Sequence, residues 1–221
     1  MPKVLIQNDD LGDEFYELLE DEDLDEAQQE KLEKKCAREL EVIKRDDRLD
    51  TIARDVVYHF PRRGYLGKGM VITLDKVTAV RMYDKVQQHW KDEQKRLLKL
   101  VKESTNEVEK ARYKKIRDYM KTVEMAVVIG DPKADEEKFE KQGLDIKRLE
   151  QLDEHMHDVE YNFKDPEHPL QLVFVCAMWL TGFDAPTVST LYLDKPMKGH
   201  ALMQTIARAN RVASYRIAFS V

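Results

Sequence analysis

Apolar residues recur along this chain with two different periods, and the alternation between the two predicts the fold. Met70–Leu74, Met125–Ile129, Leu172–Cys176 and Val188–Leu193 are short apolar runs bounded by turn signals. Runs of that kind read as strands buried on both faces. Over 24–45, 49–60, 77–102, 105–121 and 145–160, apolar positions recur at helical spacing instead. Ser104-Thr-Asn-Glu107 resembles a capping box and splits the long central stretch into two helices. A further helix starts near Gly199-His200, and Arg216–Val221 reads as the beginning of a fifth strand. The expected fold class is α/β: a parallel sheet of about five strands flanked by helices, preceded by a helical segment. The expected division is an acidic, helical stretch over 1–45 and a single lobe over 46–221.

In such a sheet, chemistry collects just beyond the carboxyl ends of the strands. The segments that inherit this position are Thr73–Lys76, Gly130–Lys133, Ala177–Pro186 and Asp194–Arg211. Gly64, Gly67 and Gly69 precede a strand rather than follow one, which suits a turn and not a phosphate cradle. The chain has no G-x-x-x-x-G-K-[ST], G-x-G-x-x-G or G-x-S-x-G motif and no CxxC pair, so a nucleotide bound here takes its main phosphate site from elsewhere.

Composition narrows the functional class. The 221 residues carry 37 Lys+Arg against 43 Asp+Glu, a net charge of −6, which argues against a bulk nucleic-acid coat. The charge is uneven. Asp9 to Glu26 contains eleven acids and no Lys or Arg, whereas Pro186 to Val221 contains one acid, Asp194, against Lys195, Lys198, Arg208, Arg211 and Arg216. The acidic run reads as a solvated stretch. Two cysteines, Cys36 and Cys176, cannot build a disulfide framework, no apolar run is long enough for a membrane span, and no signal-peptide core follows Met1, so the expected location is cytoplasmic with no membrane partner.

Two constellations carry candidate chemistry. In the last helix Gln204, Arg208 and Arg211 fall within roughly 60° of one another at about 100° per residue, with Leu202, Ile206 and Ala209 on the opposite, core-facing side. Two guanidinium groups and an amide on one stripe suit a shared polyphosphate, although the same spacing also describes a solvated helix face. The second constellation is Trp179-Leu-Thr-Gly-Phe-Asp-Ala-Pro186, just after a strand. Thr181 offers a hydroxyl, Gly182 close backbone approach and Asp184 a carboxylate, or the segment is a tight turn capped by Asp184. The two segments are expected on adjacent strand ends.

From Val173-Phe-Val-Cys-Ala-Met-Trp-Leu-Thr-Gly-Phe-Asp-Ala-Pro186 through Tyr192-Leu-Asp-Lys-Pro-Met-Lys-Gly-His200 to Gln204-Thr-Ile-Ala-Arg-Ala-Asn-Arg211, the chain resembles motifs V and VI of a superfamily-two helicase. More narrowly it resembles the restriction (motor and endonuclease) subunit of type I restriction–modification enzymes. Lys68–Lys76 with Ala79-Val-Arg-Met-Tyr83 resembles the same family's motif IV region, and the likeness runs over roughly 46–212. The resemblance implies the second of two RecA-like lobes. Arg208 and Arg211 would reach the γ-phosphate of ATP, bound with Mg2+ and shared with a first lobe. Gly182, Asp184 and Gln204 would line the nucleotide cleft, and Thr181 and Thr73 would contact the DNA backbone. It also implies as partners double-stranded DNA, the first RecA-like lobe and nuclease domain of the subunit, and the methyltransferase and specificity subunits. Because the phosphate loop, the Mg2+ motif and the nuclease carboxylates are not in this sequence, the chain is expected to be a fragment that is inactive alone. The alternatives are lobe 2 of another superfamily-two helicase, or a truncated module that only binds DNA or protein.

Other polar residues carry less. His155 and His157 in Glu154-His-Met-His-Asp158 point in different directions on a helix and have no third ligand, so no metal site is expected. His59, His89, His168 and His200 read as surface or capping groups, Cys176 as a small buried hydrophobe, Trp90 as core, and Lys76 as a solvated lysine.

Overall fold

The computed structural model describes residues 37–64, 67–129, 135–145, 147–149, 159–176, 186–197 and 199–209. The helices are α1 (Ala37–Ile43), α2 (Asp46–His59), α3 (Lys76–Glu103), α4 (Glu107–Thr122), α5 (Glu136–Lys141), α6 (Val159–Lys164) and α7 (Gly199–Ala209). The strands are β1 (Lys68–Ile72), β2 (Glu124–Val128), β3 (Leu170–Val175) and β4 (Val188–Leu193). They form one sheet in the order β2-β3-β1-β4, and every pairing is parallel. This is the α/β architecture expected of a RecA-like lobe, with four strands among the described residues. The expected fifth strand at 216–221 and the expected helix over 24–36 lie outside them.

Alternation along each strand separates the two faces of the sheet. Val71, Val127, Leu172 and Phe174 pack under α2, α3, α4 and α5, joined by Leu49, Val56, Phe60, Val86, Trp90, Leu97, Met120 and Phe139. Met70, Ile72, Val128, Val173 and Val175 face the other way, against Val159 and Phe163 of α6. Both faces are therefore covered, which is why the strands read as near-continuous apolar runs. The Trp90 indole donates to the Met120 carbonyl at 3.0 Å and ties α3 to α4 from within that core.

Several of the expected boundaries shift, β3 for one beginning at Leu170 rather than Leu172. β1 begins two residues early and ends at Ile72, because Lys68 and Gly69 already pair with β4 while Thr73 and beyond turn away to cap α3. The cap of α4 is Asn106 rather than Ser104: its side chain accepts from the amides of Val108 and Glu109, and Ser104 Oγ in turn accepts from the Asn106 amide. Between β2 and β3, helix α5 forms around buried Phe139, residues 147–149 are helical and α6 runs Val159–Lys164; the middle of the expected 145–160 helix, including His155 and His157, lies outside the described residues.

Glycine is required at two points, one just ahead of β1 and one within it. Gly67 has φ +122, in the region where side chains are rarely found. A Cβ on Gly69 would stand 2.5 Å from Phe60 Cε2 and 2.9 Å from Leu172 Cδ1, so strand and aromatic ring touch only because that atom is missing. Gly64 and Gly67 precede the strand as expected, whereas Gly69 is already part of β1 and pairs with β3 and β4.

No helix among the described residues is long and apolar enough to cross a membrane.

Candidate functional site at the carboxyl edge of the sheet

The strand order decides which segments can meet. After β1 the chain crosses to β2 at one edge, and after β3 it crosses to β4 at the other. Both connections start from the carboxyl ends of the two central strands, β1 and β3, where open α/β sheets keep their chemistry. Thr73 follows β1, 177–185 follows β3, and Asp194 to α7 follows β4, so all three candidate segments leave the sheet at its carboxyl edge from three consecutive strands. The expectation of adjacent strand ends is corrected in one respect. β1 lies between β3 and β4, which sets the ends of those two strands about 10 Å apart at the usual strand spacing. Thr73 stands in that gap.

Thr73 is fully buried, and its groups are already committed. Its amide donates to the Val175 carbonyl at 2.9 Å, and its hydroxyl lies 3.2 Å from that oxygen and 3.1 Å from the Asp75 carbonyl. Asp75 follows as the cap of α3, accepting from the Thr78 amide at 2.8 Å, while its second oxygen meets Lys44 Nζ at 2.6 Å. Thr181, Gly182 and Asp184 lie outside the described residues.

Gln204 is exposed on α7, and the α7 backbone carries Arg208 one turn further along. Arg211 lies outside the described residues. Gly199, at φ +54, turns the chain into this helix. The face that α7 buries differs from expectation. Thr205 is 2% exposed, with its hydroxyl 3.7 Å from Met197 Sδ, whereas Ile206 is 45% and Met203 64% exposed. The apolar stripe expected to face the core is thus partly uncovered, because the sheet-proximal position falls on Thr205, about a quarter turn from the Leu202–Ile206 line.

Charged groups concentrate along the same edge. Arg48 of α2 lies 2.6 Å from Asp194 Oδ1, directly past β4, and the Asp194 side chain is 2% exposed. Burial pushes the Asp194 carboxyl above its ordinary value, and the Arg48 guanidinium only partly offsets this. Beyond β2, Lys76 Nζ meets Asp135 Oδ2 at 2.6 Å, so Lys76 is ion-paired rather than freely solvated. Burial works to raise Asp135, yet hydrogen bonds and charge from Lys76 and Lys138 hold it below its ordinary value. Reading the sequence by motif missed Arg48 and Asp194 as a pair. The available signal was a single acid placed immediately after a buried strand, at the edge where such sheets keep their chemistry.

The remaining sequence candidates take structural roles. His59 Nδ1 lies 2.7 Å from the Tyr192 hydroxyl, His89 Nε2 lies 2.7 Å from Asp50, and Cys176 is buried. Among the described residues no group of three His, Cys, Asp or Glu could hold a metal ion.

Comparison with known proteins places this architecture in a family. Residues 67–218 match the family described as type I restriction enzyme subunit R domain 3. A Methanocaldococcus jannaschii protein bearing the name type I restriction enzyme MjaIXP endonuclease subunit is 31% identical over 209 residues, 94% of this chain and 17% of its own length. The MjaVIIP endonuclease subunit of the same organism is 28% identical over 196 residues, 86% of this chain and 16% of its own. The HindI endonuclease subunit of Haemophilus influenzae is 68% identical over 54 residues, 24% of this chain and 5% of its own. The chain thus spans less than a fifth of the length of these relatives. With a parallel sheet whose three candidate segments share one edge, and with the family match covering all four strands and α7, the chain belongs to the domain 3 family of the type I restriction enzyme R subunit.

Proposed function

We propose that this domain is the second motor lobe of an ATP-dependent DNA translocase within a type I restriction endonuclease subunit. The observation that carries the reading is that Thr73, 177–185 and α7 follow, in chain order, the carboxyl ends of three neighbouring parallel strands, β1, β3 and β4. A first lobe facing that edge would complete a nucleotide cleft whose phosphate loop this chain does not contain. Gly182, Asp184 and Gln204 would line the cleft, and Arg208 and Arg211 would extend to the γ-phosphate of Mg2+-bound ATP. The exposed face of α7 at Gln204, with Arg208 one turn on, fits half of such a site.

The chemistry asked of these side chains is electrostatic. Negative charge spreads over the γ-phosphoryl oxygens as the bond to the leaving group lengthens, and a guanidinium held against them lowers the barrier. Because that guanidinium belongs to a different lobe from the phosphate loop, hydrolysis is fast only when the two lobes are closed. Cleft closure is then linked to movement along DNA. Thr181 would hold the DNA backbone. Thr73, with its hydroxyl committed to Val175 and Asp75, would contribute mainly by fixing the end of β1 and would touch DNA only after releasing those bonds.

The test is reconstitution. This chain alone should show no DNA-stimulated ATP hydrolysis, and adding a separately expressed first lobe should restore it. Turnover by the chain alone would overturn the half-site reading.

A further inference from the structure

Asp194 is a buried carboxylate with an incomplete set of partners. The Arg48 guanidinium lies 2.6 Å from Oδ1 as an ion pair, and among the described residues neither carboxylate oxygen receives a well-aligned hydrogen bond. Its amide donates to the Ile72 carbonyl at 2.8 Å, so its backbone is fixed to the end of β1. Only four residues, Lys195 to Lys198, separate it from α7. Arg48 is anchored as well: its Nη1 donates to the Ile43 carbonyl at 2.9 Å, at the end of α1. The same corner is tied down by Lys44 to Asp75 at 2.6 Å and by Arg81 to the Lys44 carbonyl at 3.2 Å.

A buried carboxylate of this kind is costly for folding, and its partly exposed Arg48 partner, in contact with solvent, offsets only part of the lost hydration. A carboxylate kept there despite that cost needs another reason, and its location supplies one.

We propose that Asp194, held by Arg48, is a positioning residue that sets the direction in which α7 leaves the sheet and so carries Gln204 and Arg208 to the cleft. The ion pair couples the α1–α2 corner to the loop between β4 and α7. Motion of the N-terminal helices then reaches the arginine-bearing helix through this contact. This inference rests on the motor-lobe reading for its effect on turnover, but its effect on α7 itself does not.

The experiment uses a complete R subunit carrying this domain, with Asp194→Asn, Arg48→Met, Arg48→Lys and the double Arg48→Met/Asp194→Asn. Hydrogen exchange over 199–209 and the kcat and KM for ATP are measured in each. Asp194→Asn and Arg48→Met should each speed exchange across α7 and lower kcat about tenfold or more, with KM changing less. Arg48→Lys should recover most of the loss, and the double variant should be no worse than the worse single one. Thermal stability of Asp194→Asn should match or exceed that of the unsubstituted protein, which separates positioning from folding. Unchanged exchange in both single variants, or a double variant whose losses multiply, would overturn the proposal. Faster α7 exchange with unchanged turnover would leave the positioning of the helix intact and contradict the motor role of α7 instead.

Discussion

The Lys68 ammonium, on the first residue of β1, lies 2.8 Å from the Asn162 carbonyl oxygen in the last turn of α6, in a site where the lysine is 1% exposed. Thr187 makes the matching bond, its hydroxyl donating to the Phe163 carbonyl at 2.8 Å, while the Thr187 carbonyl accepts from the Lys68 amide at 2.8 Å. Two carbonyls in the last turn of a helix are thus satisfied from β1 and from the residue before β4. The positive charge also suits the negative end of the helix dipole.

Burial lowers the Lys68 ammonium from an ordinary value of 10.5 to about 8, and the charge of Asp165 opposes the shift. Below about pH 8 both folded and unfolded chains hold the proton, and the folded state bears the whole penalty. Between about 8 and 10.5 only the unfolded chain holds it, so this residue's contribution to stability should rise with pH, by at most about 1.4 kcal/mol per unit. Urea denaturation at pH 7, 8.5 and 10 should show the unsubstituted chain gaining on Lys68→Met as pH rises; parallel pH profiles would refute the assignment.

Gly69→Ala should destabilise the domain by about 1–3 kcal/mol, because the new methyl meets Phe60 and Leu172, both buried and neither free to retreat. Phe60→Leu in the same background should recover part of the loss by making room. If Gly69→Ala is neutral in denaturant titration, the close approach of β1 to Phe60 is not as described.

Asn106→Ala should cost about 1 kcal/mol, since the side chain accepts from two amides at the start of α4. Ser104→Ala should cost less, because Ser104 supports Asn106 rather than capping the helix itself. Equal losses would restore Ser104 as the cap.

Such details mark what was legible in the sequence. The strands could be read because both faces of the sheet are covered, so Met70–Ile72, Val127–Val128 and Leu172–Val175 carry no polar residue to obscure them. Helices α3 and α4 could be read from the Val80, Val86 and Trp90 stripe and the capping residues between them. Lys68 could not, because a lysine is ordinarily solvated and nothing local announces a partner 94 residues away. The Arg48–Asp194 pair was hidden for the same reason, joining α2 to the end of β4 through space. The buried face of α7 was misassigned because wheel position gives the direction of a side chain but not which direction the sheet occupies, and there Thr205 faces inward. The candidate site was legible as motifs along one sheet edge; that β1 separates their strands is a matter of strand order, which local pattern does not encode.

The central claim is that Arg208, on α7, and Arg211, two residues past its end in sequence, complete an interlobe ATP site. It is tested most directly by steady-state ATP hydrolysis, with and without DNA, in a complete R subunit bearing Arg208→Ala or Arg211→Ala. Each variant should lose about 10³-fold or more in kcat while binding DNA as before. A variant of either arginine that hydrolyses ATP at the unsubstituted rate would contradict its assignment.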